Sequence, residues 1–500
     1  MQPTQRDYSK LTLDKDLAKI SRVELATQFL SRKMLGLGIA VAFLVLALIF
    51  ASLFVSGLPG SVIIIAAAVV GAYMALNIGA NDVANNVGPA VGSNAMTMGV
   101  ALVIAAVFES GGALIAGGDV VSTISKGIID PDNFAESSSF VWAMMAALIS
   151  SAVWVNLATW VGAPVSTTHS VVGGVMGAGI AAAGFTVVNW PTMASIAASW
   201  VISPLIGGVI AAIFLALIKT LIIYQDDKIA AARRWVPVLI AIMAGCFATY
   251  LALKGIKKIV KIDIQSALLI GLVVALAAWA LVRPVIARQS AHLENRNQSL
   301  RKLFAIPLVC SAALLSFAHG ANDVANAVGP LAAIVHTAGV GEIAAKVTIP
   351  WWVMVIGAFG ISFGLLLFGP KLIRMVGQQI TKLNPMRAYC VALSAAITVI
   401  IASWLGLPVS STHIAVGAVF GVGFFREWYT GNSKRRRRYV NKRKTLTGVR
   451  PQEINHSEMR RRKLVRRSHF MTIVAAWVVT VPAAALLSAV IFYLLSAIQT

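Results

Sequence analysis

The chain has 500 residues, of which 58% are hydrophobic and only 12% carry a charge, and its formal net charge is +23. A soluble protein has roughly 25% charged residues, so too few are present here to cover a water-facing surface. Apolar runs of about 18 residues or more recur along the chain, and each is long enough to cross a bilayer as a helix. The composition therefore excludes a soluble enzyme, a fibrous protein and a disulfide scaffold, and predicts an integral membrane protein.

Two motifs occur twice along the chain, in the same order and at nearly the same spacing. GANDVANNVGP at 79–89 returns as GANDVANAVGP at 320–330. GAPVSTTHSVVGGVMGAG at 162–179 returns as GLPVSSTHIAVGAVFGVG at 406–423. A chance match of two ordered motifs is negligible, so the sequence predicts two homologous halves.

The apolar segments give an all-α polytopic membrane protein with about 12 membrane elements, two helical hairpins and an extra amino-terminal helix. Segments 60–95 and 303–335 are too long for one crossing, and Gly, Asn and Asp interrupt both, which favours broken helices that line a cavity. The predicted divisions are, in order, a cytoplasmic arm at 1–33, the extra transmembrane helix at 34–58, a first repeat at 59–224, a connector with two helices at 225–302 and a second repeat at 303–500.

The distribution of charge predicts the orientation of the chain. The loop at 426–468 has 16 Lys and Arg residues against three Glu, which favours the cytoplasmic side and contact with anionic lipid headgroups. Apolar helices flank this loop, so a nucleic-acid partner is not expected. The stretch at 128–138 has acids and no Lys or Arg, and we place it outside. Equivalent points of the two halves then lie on opposite faces, with the amino terminus cytoplasmic. This inverted repeat is typical of secondary transporters.

Polar residues of the first motif predict an ion site. An acid at bilayer depth is costly unless it is paired, hydrated or bound to a cation, and neighbouring Asn carbonyls add hard oxygen ligands. We expect an alkali ion or a proton there, and the alternative is polar contact that only holds helices together. Glu109 is the other acid inside a predicted span. The candidate ion-coupling residues are Asn81, Asp82, Asn85, Glu109, Asn322, Asp323 and Asn326.

The second motif predicts an anion site. A proline, three hydroxyls and an apolar run are typical of a helix start, where free N–H groups and the helix dipole attract anions. Two such starts facing each other could hold a tetrahedral oxyanion, whereas the alternative is ordinary helix capping. His169 and His413 end the motifs and could relay protons or bond to backbone. The candidate substrate-binding residues are Ser166, Thr167, Thr168, Ser410, Ser411 and Thr412, together with Asp82 and Asp323.

Several motifs of other function classes are absent from the sequence. There is no GxxxxGK[ST] loop for ATP and no HExxH, so we expect neither an enzyme nor catalytic residues. Cys246, Cys310 and Cys390 lie in apolar segments without metal-ligand spacing. We expect no resident metal and no cofactor apart from the coupling ion, H⁺ or Na⁺.

The duplicated motifs resemble those of the inorganic phosphate transporter (PiT) family. FESGGALIAGGDVVSTISKGIID at 108–130 and GPKLIRMVGQQITKLNP at 369–385 are similar to further signatures of its two halves. The resemblance implies symport of inorganic phosphate with sodium or protons through an inverted-repeat fold. It also implies substrate contacts at the matching Ser and Thr positions and ion contacts at the matching Asn and Asp.

Two departures from the family pattern bear on the fold and the coupling ion. The helix at about 35–57 is an addition to the family core. Sodium-coupled members usually carry a glutamate shortly before the second P-V-S motif, where this chain has Ala392, and the partner position is Asn156. The missing acid favours proton coupling, with phosphate alone or a neutral metal–phosphate complex as substrate.

Alternatives to phosphate symport stay open at this point. The run GGDVVSTISKGII also resembles sulfate permeases of the same family, but retained aspartates favour phosphate, because sulfate at neutral pH has no proton to donate to them. A passive anion channel would need the same donors without a coupling acid, and a receptor would signal through the basic loop. We expect a bacterial inner (plasma) membrane location, and homo-oligomerisation is an open alternative to a single chain.

Overall fold

The computed structural model describes residues 34–163, 165–255, 262–340, 349–375, 383–446 and 467–499. These ranges contain helices and no strand, apart from one isolated bridge between Ile129 and Val188. The α-helices are α1 (Met34–Val55), α2 (Ser61–Asn81), α3 (Ala84–Gly92), α4 (Met98–Ala116), α5 (Gly118–Ser122), α6 (Ser137–Val161), α7 (Thr167–Ala183), α8 (Trp190–Ile218), α9 (Lys228–Lys254), α10 (Ile264–Gln289), α11 (Asn297–Leu303), α12 (Ala305–Val340), α13 (Trp351–Met375), α14 (Pro385–Trp404), α15 (Ser411–Asn432), α16 (Lys434–Leu446) and α17 (Arg467–Gln499).

The length and composition of the helices fit a membrane protein. Eleven segments of the described chain are long and apolar enough to cross a bilayer. Adding α7 and α15, which complete the two hairpins, gives the predicted set of membrane elements. The all-α polytopic fold class is confirmed.

The two halves differ where both were predicted to be broken. The first motif interrupts its helix at Asp82 and Val83, between α2 and α3, whereas α12 runs without a break through Asp323. The prediction of a broken helix in the second half was therefore wrong. In the first half, the Asp82 carbonyl at the break accepts the Asn85 backbone N–H at 3.0 Å and the Asn85 side-chain amide at 3.1 Å. The equivalent Asn326 amide donates to the hydroxyls of Thr167 and Thr168.

Both predicted hairpins are present. One joins α6 to α7 and the other joins α14 to α15. Gly162 and Gly406 lie where the first helix of each hairpin ends, and both have a positive φ, 78° and 68° respectively. Because only glycine adopts this conformation at little cost, these two residues let the backbone of each hairpin turn toward its second helix.

Helices of one half pack on helices of the other in reciprocal pairs. α2 packs on α13 as α12 packs on α4, and α7 packs on α17 as α15 packs on α8. The closest approaches are at glycines: Gly364 of α13 lies against the Leu76 carbonyl, and Gly320 of α12 against the Glu109 carbonyl. Two repeats related by a two-fold axis produce reciprocal contacts of this kind. The opposite orientation of the two repeats in a membrane stays a prediction.

Gly364→Ala is expected to destabilise the protein, because the new Cβ would overlap the Leu76 carbonyl and force α2 and α13 apart. Overpacking of this kind costs about 1–3 kcal/mol. The measurement is the apparent Tm of purified protein in detergent. The matched control is Gly38→Ala in α1, where nothing lies within 4 Å of the added Cβ, and its Tm should be unchanged. Equal Tm values for the two variants would contradict the tight contact.

The remaining divisions are only partly described. The extra helix α1 packs on α13 through aromatic contacts, such as Phe43 with Phe363. The connector consists mainly of α9 and α10, which pack along each other. In the predicted basic loop, α15 continues to Asn432 and α16 follows, while residues 447–466 and the arm at 1–33 lie outside the described residues. The domain boundaries themselves stay predictions.

Candidate functional site

The tips of the two hairpins meet between the acid-bearing segments of the two halves. α7 begins at Thr167 and α15 at Ser411, and the Thr168 hydroxyl donates to the Val409 carbonyl of the other hairpin at 3.0 Å. Asp82 and Asp323 lie beside these helix starts, and both are buried. The structure thus brings residues of all four copies of the two motifs into one place.

Asp82 contacts both hairpins at once. Its Oδ2 accepts a hydrogen bond from the Thr167 hydroxyl at 2.7 Å, and its Oδ1 accepts one from the Thr412 hydroxyl at 3.0 Å. Asn85 donates to the same Thr412 oxygen at 2.8 Å. A single carboxylate of the first half therefore links a helix start of each half.

Asp323 is the two-fold counterpart of Asp82, but its partners differ. Its Oδ2 accepts a longer hydrogen bond from the Ser411 hydroxyl, at 3.3 Å, and lies 2.7 Å from Nε2 of His319, one helical turn earlier in α12. Across the site, Asn326 donates to the hydroxyls of Thr167 and Thr168 at 3.1 and 3.2 Å. The asymmetry of the site thus arises from the imidazole, which pairs with Asp323.

Two of the predicted hydroxyls cap the half-helices. Ser166 accepts a hydrogen bond from the His169 N–H at 3.1 Å, and Ser410 accepts one from the His413 N–H at 3.3 Å. This is the capping that was set against the anion site, and it leaves each hydroxyl proton able to donate elsewhere. Substrate contact by Ser166 and Ser410 stays a prediction.

Asn81 and Asn322 hold the hairpin tips in equivalent ways. Each carboxamide oxygen accepts a backbone N–H at 3.3 Å, from Val165 and Val409 respectively. Asn81 also donates to the Thr159 hydroxyl at 2.9 Å, and Asn322 to the hydroxyl of Ser403 at 3.0 Å. Their amides position the backbone of the tips, and a role as ion ligands stays a prediction.

Glu109 lies beyond Asp323, on the far side of the His319 ring. Its Oε2 is 2.6 Å from Nδ1 of His319, and its Oε1 accepts a hydrogen bond from the Asn86 amide at 2.7 Å. The imidazole therefore stands between two buried carboxylates, those of Glu109 and Asp323, and its contact with Asp323 lies outside hydrogen-bond geometry.

His319 and Asn86 are site residues that the sequence analysis missed. The available signal was the residue before each GAND motif, which is Ile78 in the first half and His319 in the second. This buried histidine, which has no counterpart in the first motif, is the residue by which the two copies of the site differ. Among the described residues, Asp82, His319 and Asp323 also offer ligand atoms within 4.8 Å of one another, so their charges and spacing could accommodate a cation.

His169 and His413 meet behind the hairpin tips. Their ring centroids are 4.4 Å apart at 86°, and His169 also packs on Trp200 at 3.9 Å. Both backbone N–H groups serve in helix capping, whereas the rings pack edge to face. The choice between a proton relay and a packing role stays open.

The two positions that depart from the sodium-coupled pattern are Asn156 in α6 and Ala392 in α14. The Asn156 amide donates to the Asn77 carboxamide at 3.0 Å, and Ala392 is buried in α14. Neither position supplies a negative charge.

Comparison with known proteins gives one consistent result. Residues 78–488 match the profile of the "Phosphate transporter family". A Helicobacter pylori protein with the name "Putative phosphate permease" is 45% identical, over 97% of this chain and 99% of that protein. A Pyrococcus abyssi protein, also named "Putative phosphate permease", is 36% identical, over 85% and 96% of the two chains. A solved structure, "The sodium-dependent phosphate transporter", has a TM-score of 0.75 and 33% identity, and covers 87% of this chain and 100% of its own. The chain therefore belongs to the phosphate transporter family, and it is a membrane transporter rather than an enzyme.

Proposed function

We propose that the chain is a secondary active symporter of inorganic phosphate and that protons drive it. The observation that carries this proposal is the position of Asp82, whose carboxylate accepts hydroxyl hydrogen bonds from both hairpins. An anion that binds between the hairpin tips must share these donors with a buried negative charge. Binding of phosphate therefore depends on the charge state of the acid.

The hydrogen bonds suggest how a proton and phosphate would be coupled. While Asp82 is ionised, the hydroxyls of Thr167 and Thr412 donate to it. A proton on Asp82 removes the charge and frees these hydroxyls to donate to phosphate oxygens instead. The two half-helix starts add their free N–H groups and positive dipole ends. Proton and anion then bind together, and rocking of one repeat against the other would carry both across the membrane.

The pair formed by Glu109 and His319 supplies a route for the proton. Each nitrogen of the His319 ring faces a carboxylate, at 2.6 Å for Glu109 and 2.7 Å for Asp323. An imidazole in this position can accept a proton on one side and release it on the other. The uncharged Asn156 and Ala392 support protons as the driving ion, since no acid is present where sodium-coupled relatives usually have one.

Sodium is the second candidate for the coupling ion. It is favoured by the likeness to a solved sodium-dependent phosphate transporter and by the ligand atoms of Asp82, His319 and Asp323. Under this alternative, Na⁺ rather than H⁺ would offset the charge of the two aspartates. The same cluster thus supports either ion, and an uptake experiment separates them.

The test is uptake of labelled phosphate into proteoliposomes, with an imposed sodium gradient in one arm and an inward proton gradient in the other. Proton-driven accumulation that excess sulfate leaves unchanged is the expected result. Sodium-driven accumulation would overturn proton coupling, and inhibition by sulfate would favour a sulfate permease. Equilibration without accumulation in both arms would indicate a passive anion channel. Repeating the proton arm with and without Mg²⁺ tests a metal–phosphate complex as substrate.

The paired substitution Ser410→Ala and Thr412→Val is expected to raise the KM for phosphate about tenfold or more, because it removes two hydroxyl donors from one side of the site. Initial uptake rates over a range of phosphate concentrations give this value. Ser195→Ala, an exposed hydroxyl on α8, is the control and should leave KM unchanged. An unchanged KM in the double variant would remove the second hairpin from the substrate site.

The basic segment gives the proposed orientation. α16 begins with Lys434 and four arginines, of which Arg435, Arg437 and Arg438 are exposed. We place it on the cytoplasmic side, near anionic lipid headgroups, by the positive-inside rule. We also propose a bacterial inner-membrane location.

A further inference from the structure

A polar cavity lies away from the buried aspartates, at one end of the helical bundle. It has a volume of about 800 Å³ and is lined where α3, α10 and α11 end and where α12 and α14 begin. Its polar side chains include Asn94, Gln289 and Asn384. Five helices of both repeats and the connector thus surround one space.

The cavity is lined by cations without a compensating acid. Arg301, Lys302 and Arg387 line it, and no Asp or Glu does. Within the described ranges, none of these three side chains forms a salt bridge. Arg426 of α15 adds a further positive charge that acts electrostatically on Arg387. The charge of this space is therefore uniformly positive.

Arg387 is in an unfavourable position when considered alone. It lies in the first turn of α14, three residues after the Asn384 cap, where the helix dipole is positive and favours an acid. Its side chain is half-buried, and Arg301 and Arg426 repel it. The positive-inside rule accounts for exposed cations at a membrane surface, but not for a half-buried arginine at the positive end of a helix. A bound anion would offset both the dipole and the repulsion.

We propose that this cavity is a second binding site, which takes a phosphate group. Two guanidinium groups can bind a phosphate in bidentate fashion, and Lys302 and the Asn94 amide add further donors. α3 runs from the aspartate site to the cavity, so at 1.5 Å per residue the two sites are about 15 Å apart. The occupant is either inorganic phosphate near the transport path or the phosphate of an anionic lipid. The proposal adds to the transport function and does not depend on the coupling ion.

The first arm of the test measures equilibrium binding of labelled inorganic phosphate to the purified full-length protein in detergent. Wild type is expected to show two classes of phosphate site. Thr412→Val should weaken the class at the transport site, and Arg387→Gln or Arg301→Gln should remove the other class. Arg301 is exposed, so its variant should fold even if the variant at Arg387 does not. Arg387→Lys should retain part of the binding. Arg234→Gln, an exposed cation outside the cavity, is the matched control.

The second arm compares nanodiscs of phosphatidylglycerol and phosphatidylcholine, with retained lipid counted by native mass spectrometry. Retention of phosphatidylglycerol that Arg301→Gln and Arg387→Gln abolish, without a change in inorganic phosphate binding, would identify a lipid phosphate as occupant. Loss of inorganic phosphate binding alone would identify the free ion. If both measurements match wild type in both variants, the second site does not exist.

Discussion

Asp82→Asn is expected to abolish proton-driven accumulation of phosphate while leaving folded protein in the membrane. The substitution keeps the shape of the side chain but fixes it in an uncharged form, so it can no longer bind and release a proton. The hydroxyls of Thr167 and Thr412 can adapt, because each can rotate to accept from the new amide. Uptake into proteoliposomes under an inward proton gradient should therefore reach equilibrium and go no further.

A second measurement distinguishes loss of coupling from loss of the site. Phosphate binding by the Asp82→Asn variant should lose most of its dependence on pH, since the carboxylate that competes for the hydroxyls is gone. Asp132→Asn, an exposed acid in the loop before α6, is the matched control and should behave as wild type. Accumulation at the wild-type level in the Asp82 variant would exclude this residue from coupling.

The sequence predicted the convergence of its motifs because both were duplicated and polar in an apolar setting. Asp82 and Thr412 are far apart in the chain, yet the expectation that each half supplies one acid and one helix start placed them together. The two hairpins were part of the predicted fold class, and in the structure Gly162 and Gly406 make the turn in each, directly ahead of the helix-start signal. Such predictions succeed where a local signal, a turn glycine or a helix cap, agrees with the membrane pattern.

The differences between the halves could not be predicted in this way. The two GAND motifs are nearly identical, yet the helix breaks only in the first, where the Asn85 amide donates to the Asp82 carbonyl and to Thr412, whereas the Asn326 amide donates to the hydroxyls of Thr167 and Thr168. That choice is made by tertiary contacts, which no motif contains. The same holds for His319, whose partner Glu109 lies in another helix of the other repeat.

The glycines of the motifs also have a role other than the expected one. Gly79 and Gly320 belong to the interruptions from which broken helices were predicted, and both lie in regular helix. Each faces a backbone carbonyl of the partner helix, that of Ile361 for Gly79 and that of Glu109 for Gly320. Their absent side chains allow close helix packing, as small residues do in membrane proteins. This packing brings α4, and with it Glu109, within reach of His319.

Glu109→Gln is expected to separate driven transport from exchange. The glutamine keeps the size of the side chain and the contact with Asn86, but it cannot receive the proton of the His319 ring. Asp82 and the hydroxyls are unchanged, so phosphate should still bind and exchange across the membrane. Accumulation under an inward proton gradient should be lost, because a proton can no longer cross through the imidazole.

Exchange and accumulation are measured on the same proteoliposomes, first with equal labelled and unlabelled phosphate and then with a proton gradient. Glu136→Gln, an exposed acid at the start of α6, is the matched control and should support both. Loss of both activities in Glu109→Gln would assign the residue a structural role. Retention of both would exclude a proton route through His319. It would favour a cation held directly by Asp82 and Asp323, because that arrangement does not need the Glu109 carboxylate.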